Sequence, residues 1–192
     1  LLYKTHVIGG FAAGFLLTGN PACGAVSAAA ALLPDIDDPH SFIGRKLFPV
    51  SWAANRGCGH RHAFHSLIAA VVFSAAALLA QILAHWPHWI AMSVFIGYVS
   101  HLVLDTLNPA GVPWLWPCPF RFRIPLVPTG GLLERLIVKP AIFIATVCLV
   151  GTHCINMGHL DMSRLLVSLP RGWWRWGRLS TFLKLLSGAG LK

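Results

Sequence analysis

With 192 residues, 56% of them hydrophobic and only 11% charged, the chain lacks the charged surface that a water-soluble domain, at about 25% charged residues, presents. Its formal net charge of +9 does not indicate nucleic-acid binding: the basic residues lie in loops and in the tail, flanking long apolar runs, which is the pattern that faces anionic lipid headgroups. The five cysteines are an odd number without CxxC spacing, so neither a disulfide framework nor a cysteine-built zinc site is indicated.

In chain order, residues 5–17 are apolar and glycine-spaced, Thr18-Gly19-Asn20-Pro21 is a turn, and residues 22–33 form a second apolar run that Pro34 ends. Each run gives roughly 18 Å of helix, short of a hydrocarbon core of about 30 Å. The pattern predicts a helical hairpin that enters the membrane part way or packs inside a bundle. The minimal basic start, Lys4, and the direct run into polar sequence argue against a cleavable signal peptide. Residues 34–62 are polar for this chain and carry Arg45, Lys46, Arg56 and Arg61. Residues 63–84 have spanning length, His85-Trp86-Pro87-His88 reads as an interfacial turn, and residues 89–107 form the next span. Residues 108–133, rich in Pro, Gly and Trp, read as a loop, and residues 136–156 as a last span with Pro140 near its start. From Leu160 on, Trp173, Trp174, Trp176 and six basic residues predict an interfacial amphipathic segment. The expected fold is all-α: an integral membrane helical bundle with an N-terminal short-helix hairpin, about three spanning helices and an amphipathic C-terminal segment. Residues 1–159 form the membrane-embedded domain and residues 160–192 the basic, Trp-rich tail.

The chain has six acidic residues: Asp35, Asp37, Asp38, Asp105, Glu134 and Asp161. Ionisable groups at membrane depth are costly and therefore mark functional positions. A solvated helix end accounts for Asp38 but poorly for Asp105, four residues after His101 in the apolar stretch 97–107. His101 and Asp105 share a helix face, and the pair suits either a bound cation or a buried His–Asp hydrogen bond. The segment 59–66, GHRHAFHS, adds His60, His62 and His65. Imidazole together with carboxylate suits zinc, manganese or iron better than calcium or magnesium. Folding the runs up and down brings His6, Asp35, Asp37, His60, His65, His101, Asp105 and Glu134 to one end of the bundle. A metal there would lower the pKa of bound water towards neutrality. Arg121 and Arg123, in the loop at the same end, suit a phosphate or a lipid headgroup, or else plain anchoring at the membrane surface.

The blocks LLPDIDDPHSFIGRKL (32–47), GHRHAFHS (59–66) and GYVSHLVLDTLNPAGVPWLWP (97–117) resemble the YdjM-like family, described as LexA-regulated, membrane-bound, metal-dependent hydrolases. The resemblance covers about two-thirds of the chain, from His6 to Glu134. The family's middle block reads close to G-H-R-G-F-T-H-S; here His62, Ala63 and Phe64 stand in its centre, and His62 reads as a bystander. A more distant similarity, carried by His101, Asp105 and Pro109, links the chain to the zinc-dependent phospholipase C and P1 nuclease group.

These resemblances imply a bacterial inner-membrane, multi-pass hydrolase acting on a small-molecule or lipid phosphoester through a metal-activated water. The expected cofactor is divalent metal, zinc or else manganese or iron, in one to three ions. The expected ligands are His60, His65, His101, Asp105, Asp35 and Asp37, with His6 and Glu134 as a second tier. Asp37 and Asp38 are the candidate catalytic carboxylates, and Arg61, Arg121 and Arg123 the candidate substrate-binding cations. Eight basic residues at the site end against six in the tail place the site end on the cytoplasmic side. Two other readings stay open: a non-enzymatic bundle locked by its His/Asp cluster, and a metal transporter, which would need such groups near mid-membrane.

Overall fold

The computed structural model describes residues 1–58 and 62–156. Helix α1 (Tyr3–Thr18) ends at Gly19, whose positive φ of 65° lets its N–H return 2.7 Å to Phe15 O. Pro21 opens α2 (Pro21–Ala30), and the Asn20 side chain caps it by accepting from the Ala22 N–H at 2.8 Å. Small residues let these helices meet closely: a Cβ on Gly14 would stand 2.4 Å from Ser27 Oγ. This is the hairpin that the glycine-spaced runs and the Asn20-Pro21 turn predict.

Past α2 the chain makes a 3-10 turn (Leu33–Asp37) and two helices, α3 (Phe42–Lys46) and α4 (Phe48–Cys58). The sequence reading had only a polar segment there. Ser41 Oγ explains the start of α3: it accepts from the Gly44 N–H at 2.8 Å and donates to Asp35 O at 2.7 Å. A second 3-10 turn (Ala63–His65) leads to Ser66, which caps α5 (Leu67–Leu83) through the Ala69 N–H. Helix α6 (Ile90–Thr106) returns antiparallel to α5. The loop that follows pairs Val112 with Phe122 in one isolated antiparallel bridge; among the described residues no strand forms.

A wide π-helical turn (Glu134–Val138) runs into α7 (Lys139–Asn156). Pro140 has no N–H to give its helix, and a wide turn is where that loss is absorbed. Together these 23 residues reach about 35 Å and are, among the described residues, the one helix long and apolar enough to cross a membrane. Only 6% of that segment is buried, so it is no core helix. Of the three expected spans, this helix alone reaches spanning length among the described residues. Ser66 starts α5 late and the positive φ of His85 follows its end, so α5 has 17 residues, as has α6, each roughly 26 Å long.

Leu1–Gly151 form one compact unit; of the second, Thr152–Lys192, only the end of α7 is described. The C-terminal segment expected from Leu160 on lies outside the described residues. In the first unit Ala70, Tyr98, Leu102 and Val112 form a buried core, and the Tyr98 hydroxyl donates to Phe64 O at 2.6 Å. Outward positions of α5 such as Val71, Val72, Leu79 and Ile82 are exposed, an apolar surface that suits lipid and not water.

Glu134 ties the start of α1 to the loop before α7. Its Oε1 accepts from the Leu2 N–H at 2.5 Å and the Thr5 hydroxyl at 2.7 Å, and its Oε2 from the Gly130 N–H at 2.7 Å. The residue is fully buried. Glu134→Ala strands these three donors and is expected to cost about 3–5 kcal/mol, read as a lowered unfolding midpoint in detergent.

Candidate metal centre

Four elements supply the site. His6 comes from the first turns of α1, Asp35 and Asp37 from the turn after α2, His65 from the turn before α5, and His101 with Asp105 from one face of α6. His6, Asp37, His65 and His101 are fully buried, and Asp105 nearly so.

The two central histidines are held by one ring nitrogen and present the other. His101 Nδ1 lies 2.7 Å from Ala31 O, and His65 Nδ1 lies 3.4 Å from Asp37 Oδ2. The Ala31 contact selects the tautomer of His101 with the proton on Nδ1 and its lone pair on Nε2, and the Asp37 carboxylate beside His65 Nδ1 favours the same tautomer there. Those Nε2 atoms point to one place. His65 Nε2 stands 3.8 Å from Asp35 Oδ1 and 3.9 Å from Asp105 Oδ2. His101 Nε2 stands 3.8 Å and 3.7 Å from the same two oxygens. A tetrahedral ion with bonds of about 2.1 Å separates its donors by about 3.4 Å. Shifts of a few tenths of an ångström would therefore seat two imidazoles and two carboxylates on one ion.

His6 stands on the other oxygen of Asp105. Its Nε2 is 3.3 Å from Asp105 Oδ1 without the alignment of a hydrogen bond, and its Nδ1 has no partner among the described residues. The Leu1 nitrogen donates to the same oxygen at 2.5 Å. The His6 ring stacks on His101 at 3.8 Å between centroids. Burial, reinforced by His101, holds the His6 imidazole down to about 4, so it is neutral at physiological pH. His101 Nε2 is likewise buried without a hydrogen bond. Each such buried nitrogen costs about 1–3 kcal/mol unless something accepts its lone pair. A divalent cation would do so, and Asp35, His65 and His101, like His6, His101 and Asp105, hold their donor atoms within 4.8 Å of one another.

Among the described residues, the remaining candidates belong to neither of these two groups. Asp38 Oδ1 accepts the His40 N–H at 2.9 Å and caps a turn, and Glu134 is spent on Leu2, Thr5 and Gly130. Arg121 and Arg123 flank Phe122 on the loop arm bridged to Val112. His62 is exposed, while His60 and Arg61 lie outside the described residues. The Ala31 carbonyl is a functional group that side-chain reading missed. Its signal was Pro34, which stops α2 and leaves carbonyls near residue 31 unpaired.

The position of His101 depends on a close helix crossing. A Cβ on Gly97 would stand 2.1 Å from Ser27 O, and the Ser27 hydroxyl donates to Ser93 O at 2.8 Å. One turn along α6, His101 then meets Ala31. Gly97→Ala forces α2 and α6 apart and is expected to lose about 3 kcal/mol of stability, with a matching fall in metal affinity measured on the same preparation.

A family model described as YdjM inner membrane protein matches residues 1–177. The inner membrane proteins YdjM of Escherichia coli (strain K12) and of Shigella flexneri are each 45% identical over 120 residues, 60% of this chain and 60% of theirs. The chain thus matches about 60% of the length of those relatives. The uncharacterized protein YvsG of Bacillus subtilis (strain 168) is 34% identical over 143 residues, 70% of this chain and 86% of that protein. None of these matches supports the more distant likeness to phospholipase C or P1 nuclease. No solved structure matches.

Proposed function

Because the chain belongs to the YdjM family of inner membrane proteins, we propose that it works in the bacterial inner membrane as a metal-dependent hydrolase of a phosphoester. Asp35, His65, His101 and Asp105 would hold zinc, manganese or iron, with His6 on the second oxygen of Asp105 and Asp37 orienting His65. A divalent ion in that set supplies Lewis acidity and activates water near neutral pH. The proposed orientation puts this end on the cytoplasmic side of a multi-pass bundle, with Arg121 and Arg123 as the cations for the substrate's phosphate.

One observation carries the enzyme reading over a purely structural lock. The Asp35 side chain is 18% exposed, while those of His65, His101 and Asp105 are at most 2% exposed. A structural metal site is closed, whereas a catalytic one keeps an open position, and here the opening lies beside one donor. The test is turnover of metal-loaded protein on a panel of phosphoesters, wild type beside Asp35→Asn. The variant should lose about 100-fold or more in turnover with its unfolding midpoint unchanged. A wild type with bound metal and no turnover on any phosphoester, together with a lowered midpoint in Asp35→Asn, would establish the structural lock instead.

A further inference from the structure

Two apolar grooves lie on either side of Trp114 and share it and Leu115 as one wall. The first, of about 380 Å³, runs along α5 from Leu67 to Val71 and Val72, and is closed by Trp114 and Leu115. The second, of about 480 Å³, lies over Val103 and Leu107 of α6 with Phe122 and Ile124, and is closed by the same Trp114 and Leu115. Trp114 is pinned between the start of α5 and the end of α6. Its carbonyl accepts the Leu67 N–H at 2.9 Å, two residues after His65, and its indole N–H donates to Thr106 Oγ1 at 2.9 Å, one residue after Asp105. Both grooves therefore begin at the end of the bundle where the ligands sit and run away from it along the helices.

The order of groups along this direction matches a lipid. Trp114, Trp116 and the exposed Phe120 mark the headgroup level, where amphipathic rings collect. Arg121 and Arg123 are the chain neighbours of the groove residues Phe122 and Ile124, so two cationic residues stand beside the second, otherwise apolar groove. Val71, Val72 and Val103 are each more than half exposed and continue into the outward apolar surface of α5 and α6. A free phosphate or a nucleotide would have no use for two apolar channels. A neutral lipid would have none for the two cationic residues.

We infer that the ligand of this face is a two-chain anionic phospholipid, with its phosphate at the Trp114–Arg123 segment towards Asp35 and Asp105 and one acyl chain in each groove. The inference rests on the phosphoester reading for its headgroup and deepens it by naming the substrate class.

Binding tests it without turnover. The full chain, purified in detergent, is irradiated with phosphatidic acid that carries a photoreactive group in one acyl chain, and in parallel with diacylglycerol of the same chains. Peptides covering 67–72 and 103–124 should take up the phosphatidic acid probe about ten times more than the diacylglycerol probe, the scale of selectivity that one added charge-assisted contact confers. Val71→Trp, which fills the first groove, should reduce labelling of 67–72 several-fold, while Leu79→Trp, on the exposed part of α5 outside it, should leave labelling as in wild type. Both positions are more than half exposed, so neither change burdens the core. Equal labelling by the two probes, or labelling that ignores Val71→Trp, would overturn the inference and leave only bulk lipid on an apolar surface. Selective groove labelling in a protein that hydrolyses no phosphoester would support the lipid site and refute the hydrolase, so the two failures are told apart.

Discussion

Replacing His101 and Asp105 together with alanine should strip the purified protein of its divalent metal. His101 belongs to both groups of donors that can hold an ion, and Asp105 presents one oxygen to His6 and the other to His65 and His101. Removing both leaves Asp35, His65 and His6 on three separate elements with no common partner. Elemental mass spectrometry of wild type should find stoichiometric zinc, manganese or iron, and the double variant should retain less than about a tenth of it, because metal affinity is built from the full set of ligands. Alanine at two buried sites also opens a cavity, so the single change Asp105→Asn serves as a control of nearly equal volume. It should lose metal while keeping its circular dichroism spectrum. No bound metal in well-folded wild type, even after incubation with these ions, would sink the hydrolase mechanism. The cluster would then be a polar network that locks the bundle.

Asp37→Asn should weaken metal binding by about 10–100-fold while leaving the number of ions unchanged. The sequence reading made Asp37 both a ligand and a catalytic carboxylate. In the structure its Oδ2 faces His65 Nδ1 at 3.4 Å, the nitrogen that turns away from Asp35 and Asp105. A carboxylate in that place accepts the ring proton, fixes the tautomer and raises the basicity of Nε2. An amide of equal size keeps the packing and loses the charge. Competition against a chromophoric chelator separates the two roles: lower affinity at full stoichiometry marks a positioning residue, and a lost equivalent of metal would make Asp37 a ligand after all. The unfolding midpoint of the metal-free protein, measured alongside, guards against a general loss of structure.

Much of the framework is legible one segment at a time. Asn20-Pro21 joins two apolar runs into a hairpin, Pro34 stops α2, and the loop rich in Pro, Gly and Trp stays irregular, because each signal acts on backbone within a few residues of itself. The same locality explains the misplaced helix ends. An apolar count carried the first run of spanning length through residues 63–66, where the Ser66 cap and the 3-10 turn begin α5 later. The small helices α3 and α4 carry no long apolar period and were not foreseen.

The site divides in the same way. His101 and Asp105 were legible as a pair because four residues on a helix always share a face. Asp35, Asp37 and Asp38 lie within four positions of one another, and no local rule separates them. Only packing decided that Asp35 faces Nε2 of His65, that Asp37 faces its Nδ1, and that Asp38 caps a turn. Glu134 looked like a ligand by type and by its end of the bundle, yet Leu2, Thr5 and Gly130 occupy both its oxygens. Composition, spacing and turn chemistry thus determined the class of protein, most of its long helices and the residue types at one end. Which donor atoms meet was decided by the crossing of α2 and α6 at Ser27 and Gly97, a contact between positions 70 residues apart in sequence. The direction of a side chain around a short turn is set by the helices packed against it, and that is a property of the assembled bundle.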